Sequence, residues 1–173
     1  MIKQFFLLLF VLTLANAKAQ FHAVVISEFM ADPTPGLGLP EYEWIELYNR
    51  TDDSIQLQGW RIRDRSGQTG PLPSFLLAPK QAVIVAGSTA AAQLNAFANC
   101  LAVTNWISLD NAGDLIAVYN NSGELIFALE YTLSWYKNEL KAQGGWSIEM
   151  QQPDFPCWDS FNWRASEEVT GSS

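Results

Sequence analysis

The amino-acid sequence predicts an all-β domain of the sandwich or barrel class with one short helix. From Ala23 onward, β-branched and aromatic runs recur about every 8–12 residues, the spacing of such folds. Gly, Pro, Asn and Asp punctuate the runs, and no strand–helix–strand rhythm interrupts them. The 173 residues are 49% hydrophobic, 13% aromatic and 16% charged, enough apolar surface for one core. The same composition excludes a disordered, collagen-like, coiled-coil or multi-span membrane chain.

Ala23 to Met30 is the first predicted strand. Asp32-Pro33-Thr34-Pro35-Gly36-Leu37-Gly38-Leu39-Pro40 is a loop, because its prolines and glycines forbid regular structure. Glu43 to Tyr48 follows, with Ile45 and Leu47 on one face and Trp44, Glu46 and Tyr48 on the other. Thr51-Asp52-Asp53 turns the chain into a strand at Ser54 to Leu57, and Gly59 breaks it before another at Trp60 to Asp64. Beyond the Pro-rich stretch Pro71–Pro79, Ala82 to Ala86 is apolar on both faces and reads as a covered, central strand. Ser88 to Ala98 is the one predicted helix, capped by Ser88 or Thr89, with Leu94 and Phe97 as its apolar side. Asp114 to Tyr119 and Glu124 to Tyr131 flank the turn signal Asn120-Asn121-Ser122-Gly123 and form a hairpin. In its second arm Leu125, Phe127, Leu129 and Tyr131 alternate towards one face. Trp146 to Met150 and Asn162 to Ser166 are late strands.

Residues 1–19 read as a secretory signal peptide. Lys3 supplies the positive start, Phe5 to Leu12 the apolar run, and Ala17-Lys18-Ala19 the small residues before cleavage at Gln20. The apolar run is too short to span a bilayer, and no Cys near the site offers a lipid anchor. The expected product, residues 20–173, is one soluble, exported domain, located in the periplasm, at the cell surface or outside the cell. It carries 18 acids against 8 bases, a formal charge of −10. Such a surface repels nucleic acid and favours cations or basic partners. Cys100 and Cys157 are far apart and outside any C-x-x-C pair, so in an oxidising compartment they read as one structural disulfide, the alternative being two unrelated buried thiols.

Catalytic constellations are mostly missing. The only histidine, His22, lies two residues from the expected new N-terminus, a poor place for a triad member. Histidine- and cysteine-based zinc sites fail on count, and no nucleophile elbow, phosphate loop or dinucleotide fingerprint occurs. The chain is therefore expected not to be an enzyme and to need no cofactor, calcium being the one cation left open. Glu28, Asp32, Glu41 and Glu43 frame the proline loop with oxygen ligands of the kind calcium accepts, or serve as solvated charges that guard a strand edge. A glycosidase pair would have to be Glu28 with Glu46 on neighbouring strands, since Glu43 and Glu46 fall on opposite faces. Of the seven tryptophans, Trp135, with Tyr136 beside it between Ser134 and Lys137, is the expected exposed ligand surface. Asn49-Arg50-Thr51 and Asn120-Asn121-Ser122 match the N-glycosylation pattern.

Glu28-Phe29-Met30-Ala31-Asp32-Pro33, then Glu43-Trp44-Ile45-Glu46-Leu47-Tyr48-Asn49, then Ile55-x-Leu57-x-Gly59-Trp60-x-Ile62-x-Asp64 resemble the lamin tail domain, most closely its bacterial secreted branch. Gly144-Gly145-Trp146-Ser147-Ile148-Glu149, Pro156-Cys157 and Asn162-Trp163-Arg164-Ala165-Ser166 are similar to its C-terminal half. The resemblance implies an immunoglobulin-like β-sandwich and a non-enzymatic interaction module, in bacteria typically part of a larger exported protein and sometimes beside a hydrolase or nuclease. The acidic charge and the lack of a preceding heptad region depart from the nuclear lamins. Thr170-Gly171-Ser172-Ser173 ends where similar sequences continue, which reads as a truncated product or as a naturally short end. The functional expectation is an exported module binding a protein, glycan or cell-surface component. The alternatives are a calcium-stabilised adhesion module and an accessory domain of a secreted hydrolase or nuclease.

Overall fold

Two sheets, antiparallel except for one edge pair, form around Phe29, Ile45, Leu47, Val85 and Ile148 on one side and Ile62, Ile116, Val118, Phe127 and Leu129 on the other. The computed structural model describes residues 21–156 and 159–172, and these fold as an immunoglobulin-like β-sandwich with one short helix. In chain order the strands are β1 (Val24–Met30), β2 (Trp44–Asn49), β3 (Ile55–Gln56), β4 (Arg61–Arg63), β5 (Leu76–Leu77) and β6 (Ala82–Gly87). Helix α1 (Ser88–Leu94) leads to β7 (Cys100–Val103), β8 (Leu115–Tyr119), β9 (Leu125–Glu130), β10 (Ile148–Met150) and β11 (Trp163–Ala165). The larger sheet has the order β11-β10-β1-β2-β6-β7, the smaller one β4-β8-β9, and β3 pairs with β5. The expected leader, residues 1–19, lies outside the described residues. Among the described residues no helix is long and apolar enough to cross a membrane.

The expected strands form because their period-2 faces find cover. β2 turns Ile45 and Leu47 into the sandwich, and Asn120 to Glu124 closes the β8–β9 hairpin with backbone bonds from Asn120 to Glu124 and from Gly123 to Asn120. β1 is buried along its whole length, because the smaller sheet covers one face and α1 packs on part of the other. Phe29 meets Tyr131 and Trp163 with ring centroids 4.7 and 5.8 Å apart.

The structure corrects several expectations. α1 ends at Leu94 and starts after Gly87, with no side-chain cap from Ser88 or Thr89. The Asn95 amide stops it by donating to the Ala91 carbonyl while its oxygen accepts from the Cys100 amide. Phe97 is therefore 58% exposed, and the buried side of α1 is Ala90, Ala91 and Leu94, seated on Met30, Trp44 and Ala86. The run Cys100–Val103 is an unpredicted strand lying parallel to β6, so β6, α1 and β7 make one strand–helix–strand unit. Trp135 and Tyr136, expected at the surface, are 5% and 2% exposed. A 3₁₀ turn over Leu133–Tyr136 points both rings inward, and Trp135 stacks on Trp163 at 5.2 Å.

Both glycosylation-like asparagines are structural as well. Asn49 is fully buried, and its amide donates to the carbonyls of Asp53, Leu77 and Ala78. Asn120 is 6% exposed and donates to Glu124 inside its own turn.

Cys100, expected to be bonded to Cys157, carries a free thiol buried beneath α1, and Cys157 lies outside the described residues. Burial pushes the thiol up to about 11, so little thiolate forms at neutral pH. In a Cys157→Ser variant, an aromatic disulfide reagent is expected to spare Cys100 in the native protein and to label it fully in denaturant. Fast native labelling would contradict this packing.

Candidate functional site

The four acids offered as calcium ligands do not converge. Glu28 is 3% exposed and accepts from the Ser147 hydroxyl at 2.5 Å. Asp32 accepts from the Gly145 amide through its backbone carbonyl at 2.8 Å. Glu41 holds the proline loop by accepting from the Gly36 amide at 2.8 Å. Glu43 turns away towards the β7–β8 connection, where it accepts from Trp106 Nε1 at 2.9 Å and the Leu109 amide at 3.2 Å. Among the described residues no three acidic, histidine or cysteine groups come together as a metal site. Thermal unfolding with excess calcium and with chelator is accordingly expected to give coincident midpoints. A calcium-dependent rise of several degrees would restore the cation reading.

A different carboxylate row is present. Glu28 on β1 pairs in register with Glu46 on β2 and with Glu149 on β10, three glutamates abreast across the larger sheet. The register shift between Ile26 and Glu28 accommodates Ser27, whose hydroxyl donates to Glu46 at 2.6 Å. Burial, with Glu46 and Glu149 alongside, pushes the Glu28 carboxyl up to about 7 against the opposing Ser147 bond. Burial raises Glu46 too. Glu28 and Glu46 are thus the neighbours a glycosidase pair requires, but Glu28 is sealed from solvent and no substrate can reach between them.

The accessible feature lies where β1, β6 and β7 end. The start of the proline loop, the three residues before β2, the first turn of α1 and the segment after β7 enclose a cleft of about 670 Å³, within the range of ligand pockets. Its lining includes Glu41, Tyr42, Glu43, Thr89, Asn105 and Trp106, and no lysine, arginine or histidine. The Trp106 ring is half-buried, braced against Gly87, where a Cβ would stand 3.2 Å from that of Trp106. Its indole N–H is committed to Glu43, which leaves the ring itself for contact. Tyr42 is positioned by the amide of Gln93, which donates to its hydroxyl at 3.0 Å. Burial raises the Glu43 carboxyl against the opposing bonds from Trp106, Leu109 and Ser108.

A family model, Lamin Tail Domain, matches residues 17–133. The chain belongs to the lamin tail domain family. A comparison with curated proteins gave no match. The matched stretch of this lamin tail domain runs from before β1 past β9, and β10 then completes the larger sheet by pairing with β1.

Sequence reasoning placed Glu41 and Glu43 of the cleft but missed its far wall. Trp106 and Asn105 stand more than sixty positions from Glu43 in the chain, and only the unpredicted β7 brings them back. The neighbourhood suspected around Trp135 does expose apolar groups, though different ones. Leu133, Leu140 and Phe161 are 44%, 77% and 84% exposed, with Lys137 donating to the Phe161 carbonyl between them.

Proposed function

We propose that this lamin tail domain is an exported, non-enzymatic recognition module that binds a protein or glycan partner through the cleft beside α1. The cleft itself carries the reading: a concave site of ligand size combining a braced aromatic ring, a tyrosine, two carboxylates and an amide side chain. The lining lacks the parts of a nucleophilic centre. Its serine, Ser88, donates to the Val103 carbonyl at 3.2 Å and has no histidine beside it. The leader pattern of residues 1–19 supports export.

The test is binding of the labelled protein to arrays of immobilised peptides and glycans, with two surface variants in parallel. Thr89→Trp places a bulky ring at the mouth of the cleft and is expected to abolish the signal. Phe161→Ser alters the exposed apolar patch and is expected to leave it intact. A signal that survives Thr89→Trp and disappears with Phe161→Ser would move the recognition surface to the patch.

A further inference from the structure

Resting on the assignment of the cleft as the recognition surface, we infer that its occupant is a cationic side chain, a lysine or arginine on an exposed segment of a partner protein. Charge and shape together select such a side chain. Glu43 holds a half-buried carboxylate on one wall, and among the described residues no lysine or arginine pairs with it. Glu41 adds a second, exposed carboxylate two residues away. The whole chain has a net charge of −8, so the field around the cleft attracts cations before contact.

The apolar parts fit the same ligand. A lysine or arginine stem needs an apolar wall and its head a carboxylate, a division that such side chains make at many surfaces. Trp106 and Tyr42 supply that wall, and a guanidinium or ammonium above either ring gains a cation–π contact besides. The donors already spent on Glu43, from Trp106, Leu109 and Ser108, orient the carboxylate without neutralising it. A cleft of about 670 Å³ exceeds one side chain, so neighbouring residues of the segment would lie along it. An anionic or phosphorylated partner meets two carboxylates and no cation.

The experiment is an NMR titration of the isotope-labelled protein with short capped peptides in which glycine alternates with lysine, arginine or glutamine, and with a neutral oligosaccharide. The expected result is a saturable shift of the Trp106 indole N–H and the Leu109 amide with the lysine and arginine peptides but not with the glutamine one. Glu43→Gln should weaken that binding roughly tenfold, and Glu41→Gln, at an exposed position, should weaken it less. Added salt should weaken it further. If Glu43→Gln fails to fold, the Glu41→Gln and salt results carry the comparison. Shifts from the oligosaccharide alone would overturn the cationic occupant and leave the cleft as the recognition surface. Equal shifts from the lysine and glutamine peptides would do the same. No shift at Trp106 from any probe would overturn both.

Discussion

Replacing Glu28 with glutamine is expected to stabilise the protein at pH 8 by up to about 3 kcal/mol and to change it little at pH 5. The size follows from the carboxyl being pushed from 4.5 up to about 7 in the folded state, chiefly by burial. The direction follows from proton counting. Between those two values the native protein holds a proton that the unfolded chain has lost, so stability falls as pH rises through this window and stays low above it. Glu46 is raised by burial as well and adds to the same slope, so the variant keeps a weaker one. His22 works the other way: its imidazole is lowered by burial and by Arg50, which favours the fold as pH rises. Because His22 is shared by both proteins, the difference between wild type and Glu28→Gln isolates the glutamate row. Denaturant unfolding across pH 5–8 checks this, and a wild-type midpoint that is flat or rising through that range would contradict the buried row.

The second large effect belongs to Gly145. Its φ is +81°, and a Cβ there would stand 2.2 Å from the carbonyl oxygen of Pro35, a backbone atom that cannot move aside alone. The amide of Gly145 donates to the Asp32 carbonyl at 2.8 Å, so the strand leading to β10 is stitched directly to the proline loop. Gly145→Ala is expected to destabilise by about 3 kcal/mol or more, from the left-handed backbone and the overpacking together. Gly67→Ala is the control: nothing lies within 4 Å of a Cβ there and its φ is not in the left-handed region. It should stay within about 0.5 kcal/mol of wild type. Thermal unfolding by circular dichroism reads both, and a Gly145→Ala protein as stable as the control would mean that the loop is not held against β10.

Much of the fold was legible in the sequence because local signals and tertiary needs agree there. The alternation in Trp44–Asn49, the apolar run at Val83–Ala86 and the turn residues at Asn120–Gly123 each specify their element without reference to anything distant. β7 was not legible. Cys100–Val103 is only four residues long, follows directly on a helix pattern that runs on to Ala98 in the sequence, and pairs with a parallel strand. Trp135 and Tyr136 look exposed between Ser134 and Lys137, yet the 3₁₀ turn leaves Leu133 and Ser134 outside and puts both rings in the core. Glu28 reads as a solvated acid at a loop edge. Its burial depends on Ser147 and the segment near Ser172, more than a hundred residues onward, which no local pattern encodes.

The same limit governed the candidate site. The acids of the proline loop were visible as a group, but the group is a property of sequence order. In space Glu28 joins Glu46 and Glu149, and Glu43 joins Trp106. The cleft therefore becomes visible only once β7 has returned the chain to the end of β6.

The most direct measurement of the central claim is amide chemical-shift mapping with whichever array peptide or glycan binds the wild-type protein. Perturbations are expected at Tyr42 and Glu43, at Gly87 to Ala90 and at Thr104 to Trp106, the three segments that enclose the cleft. Perturbations gathered instead at Leu133 to Ala142 and around Phe161 would contradict it.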